Sequence, residues 1–468
     1  MRELILNFIT YGLAISLERL MSFLLLPLYA DAFSVEEFGV IDLVQTFCGF
    51  VVIFAFLQLE TALQRYYYEY EEKEKGRFVF SIFFVIMSMA LILSVCIILF
   101  APYVSLLLCE TVKYTSAFRI AGVLINFSTL STLTLIVLRF EKKNKLFSFV
   151  VLFKSILLVC SVYWFVSVKE YGVNGFFISQ LAAISVSALF SLFFIRNVLV
   201  LRLSKDMIKL SLKYALPQFP ARVGSTTNAY ANRFFIIGYL NTFSVGLFSM
   251  ALKIGSIFQL VHQTFMMAWN QYMFQIIKRE DNKELFKGVF RILVPIICFI
   301  SICIFLFSEE LIINYASLKF AESSKYVGGI IISIVLVIIK EIVDIGPKYK
   351  AKTYYLSISF LSALSVNLIS LFFLVRYLGI AGVVYSMILT NFTLLVLSWK
   401  FSYRLYPIKF SYSVFVASLL PSLTLAIIMI YVHIPVLTRL IMLGCLAIYY
   451  FLITYNSVSK YRKLKCRI

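Results

Sequence analysis

The chain has 468 residues, 62% hydrophobic and 14% charged, with a formal net charge of +20. Apolar runs of about twenty residues follow one another with no soluble block between them, which excludes a water-soluble domain and defines a polytopic membrane protein. The cations crowd one set of helix ends, so topology accounts for the positive charge and nucleic-acid binding is not expected.

In chain order the runs predict helices over 8–30, 39–63, 78–100, 117–138, 146–167, 175–195, 212–238, 244–269, 286–307, 326–345, 355–375, 380–399, 412–432 and 436–455. That is an all-α fold of about fourteen transmembrane helices. Arg2 and Glu3 precede the first run and no small-residue cleavage site follows, so it reads as a retained span and not a signal peptide. One set of connectors is basic: Arg65/Lys73/Lys75/Arg77, Arg139/Lys142/Lys143/Lys145, Arg196/Arg202/Lys205/Lys209/Lys213, Lys278/Arg279/Lys283/Lys287, Lys348/Lys350/Lys352 and Lys400/Arg404/Lys409. The alternate set holds single cations such as Lys113, Lys169, Arg376 and Arg439, or acids such as Glu309 and Glu310. Basic loops stay cytoplasmic, so both termini are expected there, which requires an even number of spans.

The eight cysteines are scattered, with no CxxC pair and no Cys/His ligand spacing. They read as small core residues, and neither a metal nor a cofactor is expected. No phosphate-cradling glycine loop, H-E-x-x-H or nucleophile elbow occurs. The longest external connector, 308–325, is too short for a catalytic domain.

A repeat runs through the first twelve spans. Gly39 and Gly246, each opening a helix, stand 207 residues apart, as do Gly172 and Gly379; the basic loop Lys142–Lys145 falls on Tyr349–Lys352 at the same offset. The expectation is two pseudo-symmetric six-helix lobes, 1–200 and 207–404, with a central site between them, and 405–468 as an added helix pair with a basic tail.

Ionisable groups deep in spans are costly and mark functional sites. Span 1 carries Glu18 and Arg19; span 2, Asp42 and Glu60, five turns apart on one face; span 7, Arg222 and Arg233, three turns apart on one face; span 8, Lys253. The balance is cationic, which suits a phosphate or diphosphate: Arg offers bidentate donors and Lys a point charge. Arg19, Arg222, Arg233 and Lys253 are the expected substrate-binding residues, with Glu18 and Asp42 coupling protons or supporting the cavity. The competing expectation is that these charges pair to lock helices, for example Arg19 with Asp42. Lys154 and Lys340 sit within snorkelling reach of the cytoplasmic face and are expected to be structural, and His262 to make a helix contact.

Several stretches resemble the polysaccharide-export branch of the MOP superfamily, the Wzx-type repeat-unit flippases with a MATE-like fold. They are Glu36–Glu37–Phe38–Gly39, Gln64–Arg65–Tyr66–Tyr67, Leu216–Pro217–Gln218–Phe219–Pro220, Asn232–Arg233, Val245–Gly246–Leu247–Phe248–Ser249 and Gly379–Ile380–Ala381–Gly382. Asn232 departs from the family's frequent Asp at that place, which puts an acid-dependent coupling step there in doubt. The resemblance implies a non-enzymatic flippase for polyprenyl-diphosphate-linked glycans of O-antigen, capsule or exopolysaccharide in a bacterial inner membrane. A polysaccharide polymerase and a chain-length regulator would be partners. A cation-coupled multidrug exporter of the same fold, a membrane polymerase and a non-transporting scaffold remain the alternatives.

Overall fold

The structure, a computed structural model, describes residues 17–465 apart from 19, 22, 278, 351 and 353. Every regular element among the described residues is helical. Among the described residues, twelve helices are long and apolar enough to cross a membrane, against about fourteen expected from sequence. The first part of the first expected span, 8–30, lies outside the described residues, which show its end as helix Leu26–Ala32. The seventh exists as helix Phe219–Tyr239, but Arg222, Asn228, Asn232 and Arg233 make it too polar to count by hydropathy.

The chain divides into two compact units, Met1–Ile237 with Asn241–Gly246, and Gly238–Leu240 with Leu247–Ile468. In the first, helices Thr115–Phe140 and Gly172–Ile195 pack along each other, Glu72–Cys109 lies on the former and Asn144–Val162 on the latter. Helix Val35–Phe56 packs on three of these. It starts four residues before the sequence expectation because Ser34 caps it reciprocally. The Ser34 hydroxyl accepts from the Glu37 N–H at 3.1 Å, and the Glu37 carboxylate accepts from the Ser34 N–H at 3.1 Å.

This helix does not run unbroken to residue 63. Leu57 (φ 47°) and Gln58 (φ 60°) are both left-handed, and a separate helix, Leu59–Tyr66, resumes after them. Two consecutive non-glycine residues in that region store strain. Beyond the break, Leu59, Leu63 and Tyr67 join Phe78, Ile82, Val137, Phe147 and Met207 in one buried cluster. Met207 comes from the amphipathic helix Lys205–Ala215, which packs on Leu59–Tyr66.

In the second unit, Ser324–Val343 is the central helix, enclosed by Asn282–Leu306, Ile380–Leu405 and Tyr412–Tyr431. Tyr354–Leu378 packs on Ile380–Leu405, and Val436–Lys465 on Asn282–Leu306. The last two helices are thus held within this unit. Arg439, 2% exposed, is the anchor: its guanidinium meets Glu309 at 3.0 Å and Glu310 at 2.8 Å and donates to the Leu306 and Ile434 carbonyls. Side chains such as Leu99, Phe100, Leu107, Ile441, Ile448 and Phe451 are exposed, the surface a lipid-facing helix presents.

Several helix starts repeat at a common spacing. Val35–Phe56, Thr115–Phe140 and Gly172–Ile195 are followed about 207 residues later by Thr242–Ile276, Ser324–Val343 and Ile380–Leu405. Gly172 (φ 55°) and Gly379 (φ 58°) both take the positive φ that glycine tolerates best, each where the last of these helices begins.

Candidate functional site

Helix Phe219–Tyr239 of the first unit is entered through a short 3-10 turn, Leu216–Gln218, with Pro217 inside it and Pro220 just after. Proline lacks the N–H of a continuing ladder, so the chain can change direction here. The helix then lies along Val35–Phe56, and the seam between them is built from named pairs. A Cβ on Gly49 would stand 2.6 Å from the Tyr230 hydroxyl, so glycine is what lets that ring close on the backbone. Phe50 meets Phe234 edge-on with centroids 6.3 Å apart, and Phe54 meets Phe219 at 5.5 Å.

Charges sit at both ends of this seam. At one end Arg233 Nε donates to Asp42 Oδ2 at 2.9 Å and Nη1 donates to the Ala229 carbonyl at 3.0 Å. The two side chains are 17% and 20% exposed, so the pair is partly withdrawn from solvent. At the other end Arg222 is exposed, and its charge reaches Glu60, whose Oε2 is buried without a hydrogen bond. Between them Thr226 and Asn232 are buried, and Asn232 Oδ1 has no hydrogen-bond partner. The far edge of the seam is close-packed. A Cβ on Gly39 would fall 2.0 Å from the Thr242 carbonyl oxygen, and one on Gly246 would fall 1.9 Å from that of Val35. These contacts are reciprocal at positions 207 residues apart.

Glu18 pairs with Lys154 at 2.5 Å, so Lys154 is an ion-pair partner. Arg19 lies outside the described residues. Asp42, expected as a partner for Arg19 under the helix-locking view, is held by Arg233. Asp42 and Glu60 do not share one helix face, because the left-handed break at Leu57–Gln58 separates their helices; they nevertheless flank the same neighbour. Lys253 is half-buried on Thr242–Ile276, where Ser256 Oγ donates to its carbonyl at 2.5 Å.

Sequence reasoning missed a charged cluster in the second unit. Lys340 is 14% exposed and sits 3.0 Å from Glu341 and 3.1 Å from Asp344. Lys348 meets Glu341 at 3.0 Å. The spacing of Lys340, Glu341 and Asp344 on one helix end was the available signal, since residues one turn apart share a face.

What this arrangement can do chemically is present a guanidinium, Arg222, beside a polar seam whose other arginine is fixed by a carboxylate. The helical architecture has counterparts among solved structures. It is similar to the lipid II flippase MurJ in an inward closed conformation, with a TM-score of 0.74 and 16% identity over 97% of this chain and 99% of that one. It is also similar to an inward-facing multidrug resistance MATE family transporter, with a TM-score of 0.61 and 13% identity over 85% of this chain and 97% of that one. An outward-facing structure of a MATE family transporter gives 0.55 and 17% over 85% and 94%. At these identities the likeness establishes the fold. No curated protein matches the sequence significantly. The sequence profile of the polysaccharide biosynthesis protein family matches residues 4–277, more than half of the chain, and the protein belongs to that family.

Proposed function

We propose that the protein is a flippase carrying polyprenyl-diphosphate-linked oligosaccharide repeat units across the bacterial cytoplasmic membrane by alternating access, with both termini cytoplasmic. The observation that carries the reading is helix Phe219–Tyr239, a membrane helix too polar for a lipid-facing role, which holds Arg222 exposed and Arg233 in a partly buried ion pair. An exposed guanidinium on such a helix is suited to a diphosphate, which it can grip with two parallel hydrogen bonds. Asp42 fixes the direction of Arg233, so that its remaining donors have one orientation. Lys253 and Arg19 are assigned to the same anionic cargo, and Glu18, through Lys154, to support of the first span.

A family for polysaccharide biosynthesis and a fold shared with a lipid II flippase support a lipid-linked glycan over a drug cation. O-antigen, capsule or exopolysaccharide assembly is the setting, with a polymerase and a chain-length regulator downstream. A strain lacking the protein should accumulate lipid-linked repeat units confined to the cytoplasmic leaflet. Normal export of the glycan with heightened sensitivity to cationic drugs would instead identify a multidrug exporter.

A further inference from the structure

The segment that leads into helix Phe219–Tyr239 carries charge that the transport reading does not use. Residues 199–204 lie along the start of helix Glu72–Cys109 and are tied to it at three places. The Val200 N–H donates to the Gly76 carbonyl at 3.2 Å, Arg77 Nη2 to the Leu203 carbonyl at 3.2 Å, and the Ser204 N–H to Ser81 Oγ at 3.0 Å. Here the long helix turns from Lys73, Lys75 and Arg77 to Phe78, Val79 and Phe80, as a chain does where it passes from water into hydrocarbon. At that level Leu201 is 79% exposed, and Leu203 is exposed beside it. Helix Lys205–Ala215 follows. Met207, Ser211 and Ala215, four residues apart, form its buried face. Lys205, Lys209 and Lys213, also four apart, form an exposed row, with Leu210 exposed on its flank. Among the described residues no carboxylate pairs with Arg77, Arg202 or any lysine of this row. Basic residues of the second unit are paired instead: Arg279 meets Asp281 at 2.8 Å, Lys287 meets Glu284 at 2.6 Å and Lys348 meets Glu341 at 3.0 Å.

We propose that the row Lys205, Lys209 and Lys213, together with Leu201 and Leu203, binds anionic phospholipid headgroups and seats helix Lys205–Ala215 on the membrane surface. Retention of basic loops on one side calls for cations near helix ends, but not for their alignment on one helix face beside exposed leucines. That combination is the pattern of an interfacial anchor. The leucines enter the acyl boundary while the ammonium groups stay level with the headgroups. Charge complementarity sets the headgroup, since lysines without carboxylate partners are each stabilised by a lipid phosphate. A soluble anion would meet the lysines but leave Leu201 in water, and a docked acidic protein would do so as well. Lys213 stands just before the 3-10 turn Leu216–Gln218, so a lipid held on this helix steadies the entry to the helix that carries Arg222. That this seating governs cargo movement rests on the flippase reading; the lipid binding does not.

The test uses the purified full-length protein in lipid nanodiscs, with a fluorophore on Leu201→Cys in a cysteine-free background. No glycan is present, so a failed export assay and a failed lipid site are separate results. Nitroxide-labelled phosphatidylglycerol should quench the fluorophore more strongly than nitroxide-labelled phosphatidylcholine at the same mole fraction, and the excess should shrink as salt rises. A lysine near the surface contributes about fivefold in affinity for anionic lipid. Lys205→Gln, Lys209→Gln and Lys213→Gln together should therefore abolish the excess, whereas Lys205→Arg, Lys209→Arg and Lys213→Arg together should keep it. Equal quenching by the two lipids, or an excess that survives the triple glutamine change, would overturn the proposal. So would an excess abolished by inorganic phosphate at constant ionic strength, which would mark a site for a soluble anion. No quenching by either lipid, as expected of a surface that docks an acidic protein, would overturn it too. If the glutamine variant does not fold, the salt dependence and the phosphate competition decide.

Discussion

The Asp42–Arg233 pair gives a quantitative test of how the charged seam is held. At 2.9 Å the bare attraction between two unit charges is on the order of 6 kcal/mol at an effective dielectric near 20. Desolvation of both groups offsets most of it, and their residual exposure of 17% and 20% lets water screen part of the rest. A net coupling of about 1–3 kcal/mol is what remains. Asp42→Leu should therefore destabilise the protein, leaving a guanidinium without its carboxylate in the seam. Adding Arg233→Met should recover much of that loss, because the double change removes both charges at once. The assay is a double-mutant cycle by equilibrium unfolding in mixed micelles, with glycan export of each variant read in parallel. The account predicts recovered stability without recovered export, since Arg233 is assigned to the cargo. Additive single effects, with coupling below about 0.5 kcal/mol, would refute the pairing. Full export from the double variant would remove Arg233 from the site.

Three further outcomes follow from the geometry. Gly39→Ala puts a methyl 2.0 Å from the Thr242 carbonyl oxygen and should sharply reduce the yield of folded protein, whereas Gly444→Ala, with nothing within 4 Å, should behave as wild type in the same size-exclusion profile. Arg439→Met leaves Glu309 and Glu310 facing each other without their 2%-exposed cation; a loss of about 3–5 kcal/mol is expected in the unfolding assay. In a cysteine-free background, Ser317→Cys should react with an impermeant thiol reagent from outside the cell and Glu280→Cys should not, and the reverse would overturn the assigned topology.

Which features the sequence announces, and which it hides, follows from the range of the interactions. Span length and loop charge are local, so the helical architecture and an expected orientation could be read directly. The start of Val35–Phe56 was signalled by the capping-box spacing of Ser34 and Glu37, although the apolar run alone placed it four residues late. The break at Leu57–Gln58 was not, since neither glycine nor proline marks it and tertiary packing imposes the left-handed turn. Deep charges could be located but not matched. Asp42 finds Arg233 191 positions away, and that choice depends on how helices lie in space. Lys340 could be read as structural but its partners could not: it stands near a helix end, where a lysine commonly reaches for water. Here the surrounding helices enclose that end, and two carboxylates take the ammonium instead.

The most direct test is transport by the purified protein in liposomes carrying a labelled polyprenyl-diphosphate oligosaccharide, with leaflet exposure followed by an impermeant glycan-modifying enzyme. Wild type should equilibrate the labelled lipid between leaflets. Arg222→Ala should fail to do so while remaining folded, and Arg222→Lys should retain part of the rate, because the charge survives and the bidentate geometry does not. Equal rates for wild type and Arg222→Ala, or no movement of the lipid by the folded wild-type protein, would contradict the assignment.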